Sequence, residues 1–226
     1  MIRQNIKLAV DAVVFGYTDQ QLQLLLIQRK NPPFKDMWAL PGGFVLDDES
    51  LETAVERELK EETGVSINYL EQLYSFGAPD RDPRFRTVSV SYYGLVKPSG
   101  FTLQADTDAG DAQWFDVKKL PPLAFDHKKI IQYALQRLRN KLRYEPVGFE
   151  LLDTKFLFSD LEKLYTTILG QDIDRRNFRK KIMSLELLTD LEEQVSQGKG
   201  RPATRYKFDK KRYNELKKQG IFLELL

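Results

Sequence analysis

Cysteine is absent from this chain of 226 residues, which excludes disulfide bonds and thiolate metal sites. Long apolar runs are also absent, and the longest, such as LLLI at 24–27, are far too short to cross a bilayer. The opening MIRQNIKLAVD lacks the apolar core of a signal peptide. We therefore expect a cytoplasmic protein that has no disulfide and spans no membrane.

Net charge is small but unevenly distributed. The formal charge is +2, yet residues 151–226 hold 16 basic and 12 acidic residues, against 19 basic and 21 acidic residues in the remainder. Apolar residues make up 42% of the chain, which is enough for packed cores. A mildly acidic front and a basic back suggest two functions, one of which involves a polyanion.

Hydrophobic periodicity in the front part predicts an α/β domain. Residues 6–30 are rich in Val, Leu and Ile around a DQQ turn, which is typical of paired strands. The segment 47–63 is rich in helix formers and ends at Gly64, a natural C-terminal stop. Further strands are expected at 65–76, 86–96 and 112–117, and a second helix at about 126–142.

A composition change marks the end of this region. The segment RYEPVGFE at 143–150 carries Pro and Gly between two periodic regions. We therefore expect a boundary there, with domains at 1–145 and 146–226.

An acidic stretch, VERELKEETGV at 55–65, lies on the first predicted helix. Glu58, Glu61 and Glu62 are neighbours near its apolar arc, where like charges repel and burial is costly. A divalent cation such as Mg²⁺ would relieve both penalties, because carboxylate oxygens suit hard cations. The alternative is an ordinary Glu-rich helix with salt bridges to Arg57 and Lys60.

The residues around these acids match every fixed position of a 23-residue signature. Gly43 is followed after five residues by Glu49, and after seven more by RELKEETGV at 57–65. Residues 1 to about 143 therefore resemble a Nudix domain. The resemblance implies an α/β/α sandwich with a mixed sheet, a loop–helix–loop metal site, and ligands in which a nucleoside diphosphate is linked to another group.

The resemblance also implies roles for the acidic stretch. Glu58 and Glu62 would be the main metal ligands, Glu61 would assist them, and Arg57 would orient the acids. In a Nudix hydrolase the metal lowers the pKa of an attacking water, and a carboxylate outside the signature usually serves as the base. Here the acidic loop that could supply this base is either functional or simply a solvated turn. The candidate bases are Asp106, Asp108 and Asp111.

The basic back of the chain has the order of elements found in winged helix domains. Ser159 and Glu162 predict a capping box that opens a helix, which Gly170 ends. Asp174 is the expected N-cap of a basic helix with a thin apolar stripe. A basic hairpin, GKGRPATRYKF, and a short last helix follow. Helix, turn, basic helix and hairpin in this order predict a winged helix-turn-helix domain.

Double-stranded DNA is the partner that this composition fits. Arginine can pair bidentately with guanine, asparagine with adenine, and lysine can hold phosphates. The alternative is a solvated basic surface on an accessory domain. The candidate DNA-binding residues are Arg175, Arg176, Asn177, Arg179, Lys180 and Lys181 in the basic helix, and Lys199, Arg201 and Arg205 in the hairpin.

Together, the two parts resemble the Nudix-related transcriptional regulators of the NrtR type. The segments GAPDRDPRFRTVSVSYYGL (77–95), LAFDHKKI (123–130), RRNFRKK and GRPATRYKF agree with that family, so the likeness covers nearly the whole chain. The resemblance implies a homodimeric repressor that releases its operator when the Nudix domain binds an effector. That effector would be ADP-ribose or a pentose such as L-arabinose, the latter in sugar metabolism.

The complete signature leaves a second function open, since many regulators of this group have lost parts of it. The alternative is a Mg²⁺-dependent Nudix hydrolase of ADP-ribose or a related nucleoside diphosphate derivative.

Candidate residues for the effector pocket lie outside the signature. Arg81 and Arg84 could clamp a phosphate or hydrogen-bond a sugar hydroxyl, or they could stabilise a turn through the neighbouring aspartates. His127, the single histidine, is either structural or catalytic. Phe34 could stack on a ligand. The candidate set is Arg29, Phe34, Arg81, Arg84 and His127.

Overall fold

A computed structural model describes residues 5–67, 70–104, 109–196 and 202–219. The chain divides into two compact units, residues 1–136 and 137–226, which are considered separately. This division falls within a helix, and the domain boundary expected at 145/146 stays a prediction. In the described ranges, no helix combines the length and the apolarity needed to cross a bilayer.

In the described residues, the first unit is built on a seven-stranded mixed sheet. Its strands are β1 (Lys7–Thr18), β2 (Gln21–Arg29), β3 (Trp38–Ala39), β4 (Gly42–Phe44), β5 (Leu70–Phe76), β6 (Thr87–Val96) and β7 (Ala109–Asp116). The order across the sheet is β3–β2–β1–β6–β5, with β4 paired to β1 and β7 paired to β2. The central pair β1–β6 is parallel and the other pairs are antiparallel.

Helix α1 (Leu51–Thr63) covers one face of this sheet. The Ser50 hydroxyl accepts a hydrogen bond from the Thr53 N–H and caps its start. Gly64 ends the helix as predicted, in the left-handed conformation with φ 74°. The buried side of α1 packs against alternate residues of β1, which share one face because the side-chain period of a strand is two. These residues are Ala54, Val55 and Leu59 of the helix and Val10, Ala12 and Val14 of the strand.

Helix α2 (His127–Tyr144) begins on the opposite face. His127 Nε2 lies 3.5 Å from Asp11 Oδ1, and Asp11 alternates in β1 with the residues that face α1. The Tyr133 ring contacts Phe76 of β5, with 6.0 Å between ring centroids. The mixed sheet between α1 and the first part of α2 confirms the predicted α/β/α sandwich.

The second unit contains helices and, in the described residues, a three-stranded antiparallel sheet. Its elements are β8 (Phe156–Leu157), α3 (Phe158–Leu169), α4 (Arg175–Ser184), β9 (Leu188–Val195), β10 (Ala203–Phe208) and α5 (Lys210–Lys218). Tyr165, Phe178 and Ile182 are buried between the helices, with the rings of Tyr165 and Phe178 4.8 Å apart. Helix, turn, helix and hairpin follow in the predicted order, which confirms the winged helix-turn-helix fold.

The helix starts of this unit agree with the sequence in one case and differ in the other. Asp174 caps α4 as predicted. The capping box predicted for Ser159 and Glu162 is wrong, because α3 begins one residue before Ser159. There the Asp160 carboxylate accepts a hydrogen bond from the Leu157 N–H at 3.0 Å.

Gly42→Ala is expected to destabilise the first unit. Gly42 has φ +154°, and a β-carbon there would lie 2.2 Å from the Val10 carbonyl oxygen of the paired strand. Relief requires backbone movement, which we expect to cost about 3 kcal/mol, equivalent to a loss of roughly 6–12 °C in Tm. Calorimetric melting measures this loss. Gly100→Ala is the matched control, because no atom lies within 4 Å of a β-carbon there. Equal Tm values for the two variants would contradict the argument.

Candidate functional site

The acidic stretch of α1 borders a cavity of about 400 Å³ in the first unit. This volume lies within the range of small-molecule sites. The surrounding residues come from β1, β2, β4, α1, the segments before α1 and before β6, and the start of α2 with the loop that precedes it. Those that matter below are Asp11, Arg29, Phe44, Arg57, Glu58, Glu62, Arg81, Arg84, Phe125 and His127.

Arg57 binds three carboxylates at this cavity. Its Nε and Nη2 donate to the two oxygens of Glu49 at 2.9 and 2.7 Å. Its Nη1 donates to Glu58 at 2.9 Å and to Glu61 at 3.3 Å. The bond to Arg57, helped by the Leu46 N–H, lowers the pKa of Glu49 to about 2. The predicted orienting role of Arg57 agrees with this geometry.

Glu58 and Glu62 place their carboxylates at the cavity wall. Burial raises the pKa of Glu58, although Arg57 opposes the shift. Glu62 is buried, and its Oε2 accepts a hydrogen bond from the Gly42 N–H at 2.8 Å. A β-carbon at Gly43 would lie 2.2 Å from Glu58 Oε1, so the signature glycine leaves the space that this carboxylate fills.

These acids fit a hard divalent cation, which prefers carboxylate oxygens. Among the described residues, no three acidic or histidine side chains converge into a complete metal site. A cation at Glu58 and Glu62 would therefore take further ligands from water, backbone carbonyls or a phosphate. Coordination by one or two carboxylates plus phosphate oxygens is the arrangement that Mg²⁺ commonly adopts.

A buried ion-pair network forms another wall of the cavity. Arg81 donates to Asp11 at 3.1 Å and to both oxygens of Asp126, at 2.8 and 3.2 Å. The Ser89 hydroxyl donates to the same Asp11 oxygen at 2.5 Å. The Arg81 side chain is therefore fixed by two aspartates, which connects the segment before β6 with β1 and with the residue preceding α2.

His127 belongs to this wall and is held neutral. Its Nδ1 accepts a hydrogen bond from the Leu40 N–H at 2.8 Å, which assigns the ring proton to Nε2, facing Asp11. Burial lowers the pKa of His127, although Asp11 opposes the shift. Of the two sequence interpretations, this geometry favours the structural one.

The predicted effector residues come together around the cavity. Arg29, Arg81, Arg84 and His127 line it. Phe34 contacts the cavity residue Phe125, with ring centroids 4.8 Å apart. Their role in binding an effector stays a prediction.

Of the three candidate bases, the structure describes Asp111. Asp106 and Asp108 lie outside the described residues. Asp111 is described, and it does not line the cavity; its carboxylate accepts hydrogen bonds from the Ala112 N–H and the Gln113 amide.

Sequence reasoning missed four cavity residues or their partners: Asp11, Phe44, Asp126 and Phe125. Two of them, Phe125 and Asp126, lie in the segment LAFDHKKI, directly before the single histidine. Phe44 follows the signature glycine. The pair Asp126–Arg81 spans 45 residues, so no local spacing indicated it.

The exposed side of α4 carries cations in the second unit. The side chains of Arg175, Arg176 and Lys180 are exposed and make no hydrogen bond or ion pair with other described residues. The burial of Phe178 and Ile182 fixes the helix so that this side remains open. This basic surface is the candidate nucleic-acid interface.

Other predicted DNA-binding residues have partners within the unit. Arg179 lies 4.5 Å from the centre of the Phe158 ring and donates to the Tyr206 hydroxyl at 3.2 Å. The Asn177 amide donates to the N-cap Asp174 at 2.8 Å. Lys181 is half-buried, and Arg205 lies 3.9 Å from the Glu193 carboxylate. Lys199 and Arg201 lie outside the described residues.

Two family models match the chain. The NUDIX domain model matches residues 6–134, and the model of the NrtR DNA-binding winged helix domain matches residues 148–208. The matched ranges correspond to the sheet unit with its cavity and to the helix-turn-helix with its hairpin.

Individual proteins are similar over most of the chain. The ADPR responsive transcriptional repressor NtrR of Acinetobacter baylyi is 36% identical over 205 residues, 89% of this chain and 81% of that protein. Shewanella oneidensis NrtR complexed with a 27mer DNA matches with a TM-score of 0.78 at 36% identity, over 92% of this chain and 95% of that one. The NUDIX domain of S. oneidensis NrtR complexed with ADP ribose matches with a TM-score of 0.57 at 43% identity, over 61% and 90%.

Divalent cations are expected to stabilise the first unit through Glu58 and Glu62. With Mg²⁺ or Mn²⁺ as the probe at about one hundred times its Kd, linkage gives about 2.7 kcal/mol, a Tm rise of roughly 5–11 °C. The double variant Glu58→Gln, Glu62→Gln should lose this rise, because both oxygen donors lose their charge. Thermal melting with and without the ion measures it. Glu56→Gln, an exposed position of the same helix, is the control. The same rise in all three proteins would refute the assignment.

Proposed function

Since the chain belongs to the Nudix family and carries the winged helix domain of NrtR-type regulators, we propose that it is a transcriptional repressor whose Nudix unit senses ADP-ribose. The observation that carries this proposal is a nucleotide-sized cavity and an exposed basic recognition helix in one chain. Further support comes from the A. baylyi relative, whose name describes it as ADPR responsive, and from the S. oneidensis domain complexed with ADP ribose. We also propose that the protein acts in the cytoplasm as a homodimer.

DNA binding is proposed for the exposed side of α4. The second helix of a helix-turn-helix enters the major groove, where arginine recognises guanine and lysine contacts phosphates. Arg176 and Lys180 are suited to these roles because their side chains are exposed, as is that of Arg175. Arg205, Lys199 and Arg201 would contact the DNA backbone from the hairpin. Asn177, Arg179 and Lys181 would have to release or share their intramolecular contacts to reach DNA.

ADP-ribose suits the cavity better than a pentose does. A pentose is small and uncharged, whereas the wall of the cavity of about 400 Å³ carries both acids and guanidinium groups. Arg29 lies at the wall, where it is available for an anionic group. Glu58 and Glu62, assisted by Glu61, would hold Mg²⁺, which when bound neutralises diphosphate charge.

Release of the operator follows from thermodynamic linkage. If the DNA-free form binds ADP-ribose more tightly than the DNA-bound form does, ADP-ribose lowers operator affinity by the same factor. Couplings of this kind are typically about 5- to 150-fold. Operator release therefore requires that ADP-ribose bound at the sensor site weakens DNA binding, and that bound DNA weakens ADP-ribose binding by the same factor.

A second candidate function is hydrolysis of ADP-ribose at the same cavity. It is favoured by the complete signature, whose acids Glu58 and Glu62 face the cavity. The two functions are compatible, because both begin with binding of the nucleoside diphosphate. Formation of AMP from ADP-ribose would identify the hydrolase.

Arg176→Ala with Lys180→Ala is expected to weaken operator binding about 100-fold, since a base contact and a phosphate contact are lost. Gel-shift titration on DNA from upstream of the protein's own gene neighbourhood measures this. The variant should also show a shallower dependence of affinity on salt. Lys118→Ala with Lys119→Ala removes the same charge from exposed positions of the first unit and serves as the control. Equal losses in both double variants would indicate a general charge effect and would contradict the assignment to α4.

ADP-ribose is expected to lower the affinity of the wild-type chain for this DNA at least about fivefold. The same gel shift, repeated with L-arabinose and with AMP plus ribose 5-phosphate, measures the selectivity. The pentose should have no effect, because it carries neither a base nor a phosphate. If L-arabinose released the DNA and ADP-ribose did not, the effector would be a pentose and the proposal of ADP-ribose would be wrong.

A further inference from the structure

Aromatic rings collect around Arg84 on one side of the cavity. The guanidinium carbon lies 5.7 Å from the ring centre of Phe44, 5.8 Å from that of Phe85 and 5.9 Å from that of Phe125. Phe44 and Phe125 line the cavity, and the rings of Phe44 and Phe85 meet edge to face at 6.4 Å. Phe85 is 47% exposed and Phe44 36% exposed. Open aromatic surface continuous with a cavity is a surface for a flat ligand.

The planar guanidinium group of Arg84 is fixed in place among these rings. Its Nε and Nη2 donate to the two oxygens of Asp82 at 3.0 and 2.9 Å. Burial alone would raise the pKa of Asp82, but the Arg84 guanidinium keeps it below its ordinary value. The charge of Arg84 is therefore largely compensated. A planar guanidinium in this state is better suited to stack on a ring than to bind a phosphate by itself.

The Phe125 ring is held over the cavity at the expense of backbone conformation. Phe125 has φ 51° and its contact partner Phe34 has φ 62°, both in the left-handed region that a phenylalanine rarely adopts. Arg29 lies 4.9 Å from the Phe125 ring centre on the cavity wall. Unfavourable backbone of this kind persists when its surroundings hold it, and it is concentrated at ligand clamps.

The rings are tied to the acidic side of the same cavity. Arg57 Nη2 donates to the Phe44 carbonyl at 3.2 Å, and the preceding Gly43 lies against the Glu58 carboxylate. The aromatic surface and the acids are thus adjacent parts of one wall. A molecule with a flat base joined through ribose to a diphosphate matches this order of surfaces.

We propose that Phe44, Phe85 and Phe125, grouped around Arg84, form the subsite that stacks on the base of a nucleoside diphosphate. This inference rests on the proposed function, because it assigns the part of the sensor cavity that recognises the adenine of ADP-ribose. Stacking on these rings supplies affinity that a sugar without a base cannot gain. The subsite is therefore the specificity determinant that separates ADP-ribose from pentoses and pentose phosphates.

The test removes the flat rings while retaining apolar volume. Phe44→Leu with Phe85→Leu is titrated as the full chain with ADP-ribose, ADP and ribose 5-phosphate by calorimetry. Loss of base stacking should weaken the binding of ADP-ribose and of ADP about 10-fold or more. The affinity for ribose 5-phosphate should stay within about twofold of the wild-type value. Etheno-ADP-ribose provides a spectroscopic check, since its fluorescence should be quenched by wild type and less by the variant.

Controls separate stacking from a loss of structure. Tyr74→Leu removes an aromatic ring that is 54% exposed on β5 and does not line the cavity, and it should bind all three ligands as wild type does. Phe44→Tyr, which keeps an aromatic ring at this position, should bind ADP with the affinity of wild type. Thermal melting verifies folding. If the double variant unfolds, Phe85→Leu alone, at an exposed position, carries the test. The subsite assignment is overturned if the double variant loses affinity equally for all three ligands, or if its affinity for ADP is unchanged.

The outcomes also distinguish this inference from the proposed function. If the variant loses ADP-ribose affinity as expected but wild type keeps its DNA when ADP-ribose is added, the repressor mechanism fails and the subsite stands. If the variant binds ADP-ribose and releases DNA as wild type does, the subsite fails and the repressor stands. If wild type binds neither ADP nor ADP-ribose, both are overturned.

Discussion

The guanidinium group of Arg57 is the interaction on which the candidate site depends. It donates to Glu49, Glu58 and Glu61 and to the Phe44 carbonyl, and so ties the turn after β4 to α1. Without a central cation, carboxylates three and four residues apart on α1 would repel one another. With it, the Glu58 carboxylate is held at the cavity wall, and the backbone that carries the Phe44 ring is fixed. One residue therefore sets both the acidic and the aromatic side of the cavity.

Most other charges at the cavity are also paired inside the unit. Arg81 binds Asp11 and Asp126, and Arg84 binds Asp82. Buried ion pairs contribute little net stability because desolvation offsets their attraction. Their value here is positional: the Arg81 pairs fix the loop before β6 against β1 and against the residue preceding α2, and the Arg84–Asp82 pair fixes the shape of that loop. A wall of compensated charges holds its shape before a ligand arrives, which reduces the ordering cost of binding.

The sequence predicted features that depend on short spacing. The signature predicted the acids around Arg57, Gly64 was predicted as a helix end, and Asp174 as a helix cap. It could not reveal the Arg81–Asp126 pair, because partners 45 residues apart leave no periodic signal. Arg179 shows the same limit: its composition indicated DNA, but tertiary packing placed it on the Phe158 ring. The capping box also failed through competition, since the Asp160 carboxylate reached the free N–H of Leu157.

The two units differ in how they treat positive charge, and this difference matches the ligands proposed for them. In the sheet unit, the guanidinium groups of Arg57, Arg81 and Arg84 are fixed by carboxylates. Recognition of a ligand there would therefore depend largely on shape, on stacking and on a cation that Glu58 and Glu62 would hold. On α4, Arg176 and Lys180 are exposed and have no described acidic partner. Unpaired surface cations gain most from a polyanion, because DNA releases condensed counterions when they bind. The same side-chain chemistry thus selects a small nucleotide in one unit and a nucleic acid in the other, according to whether the charge is already compensated.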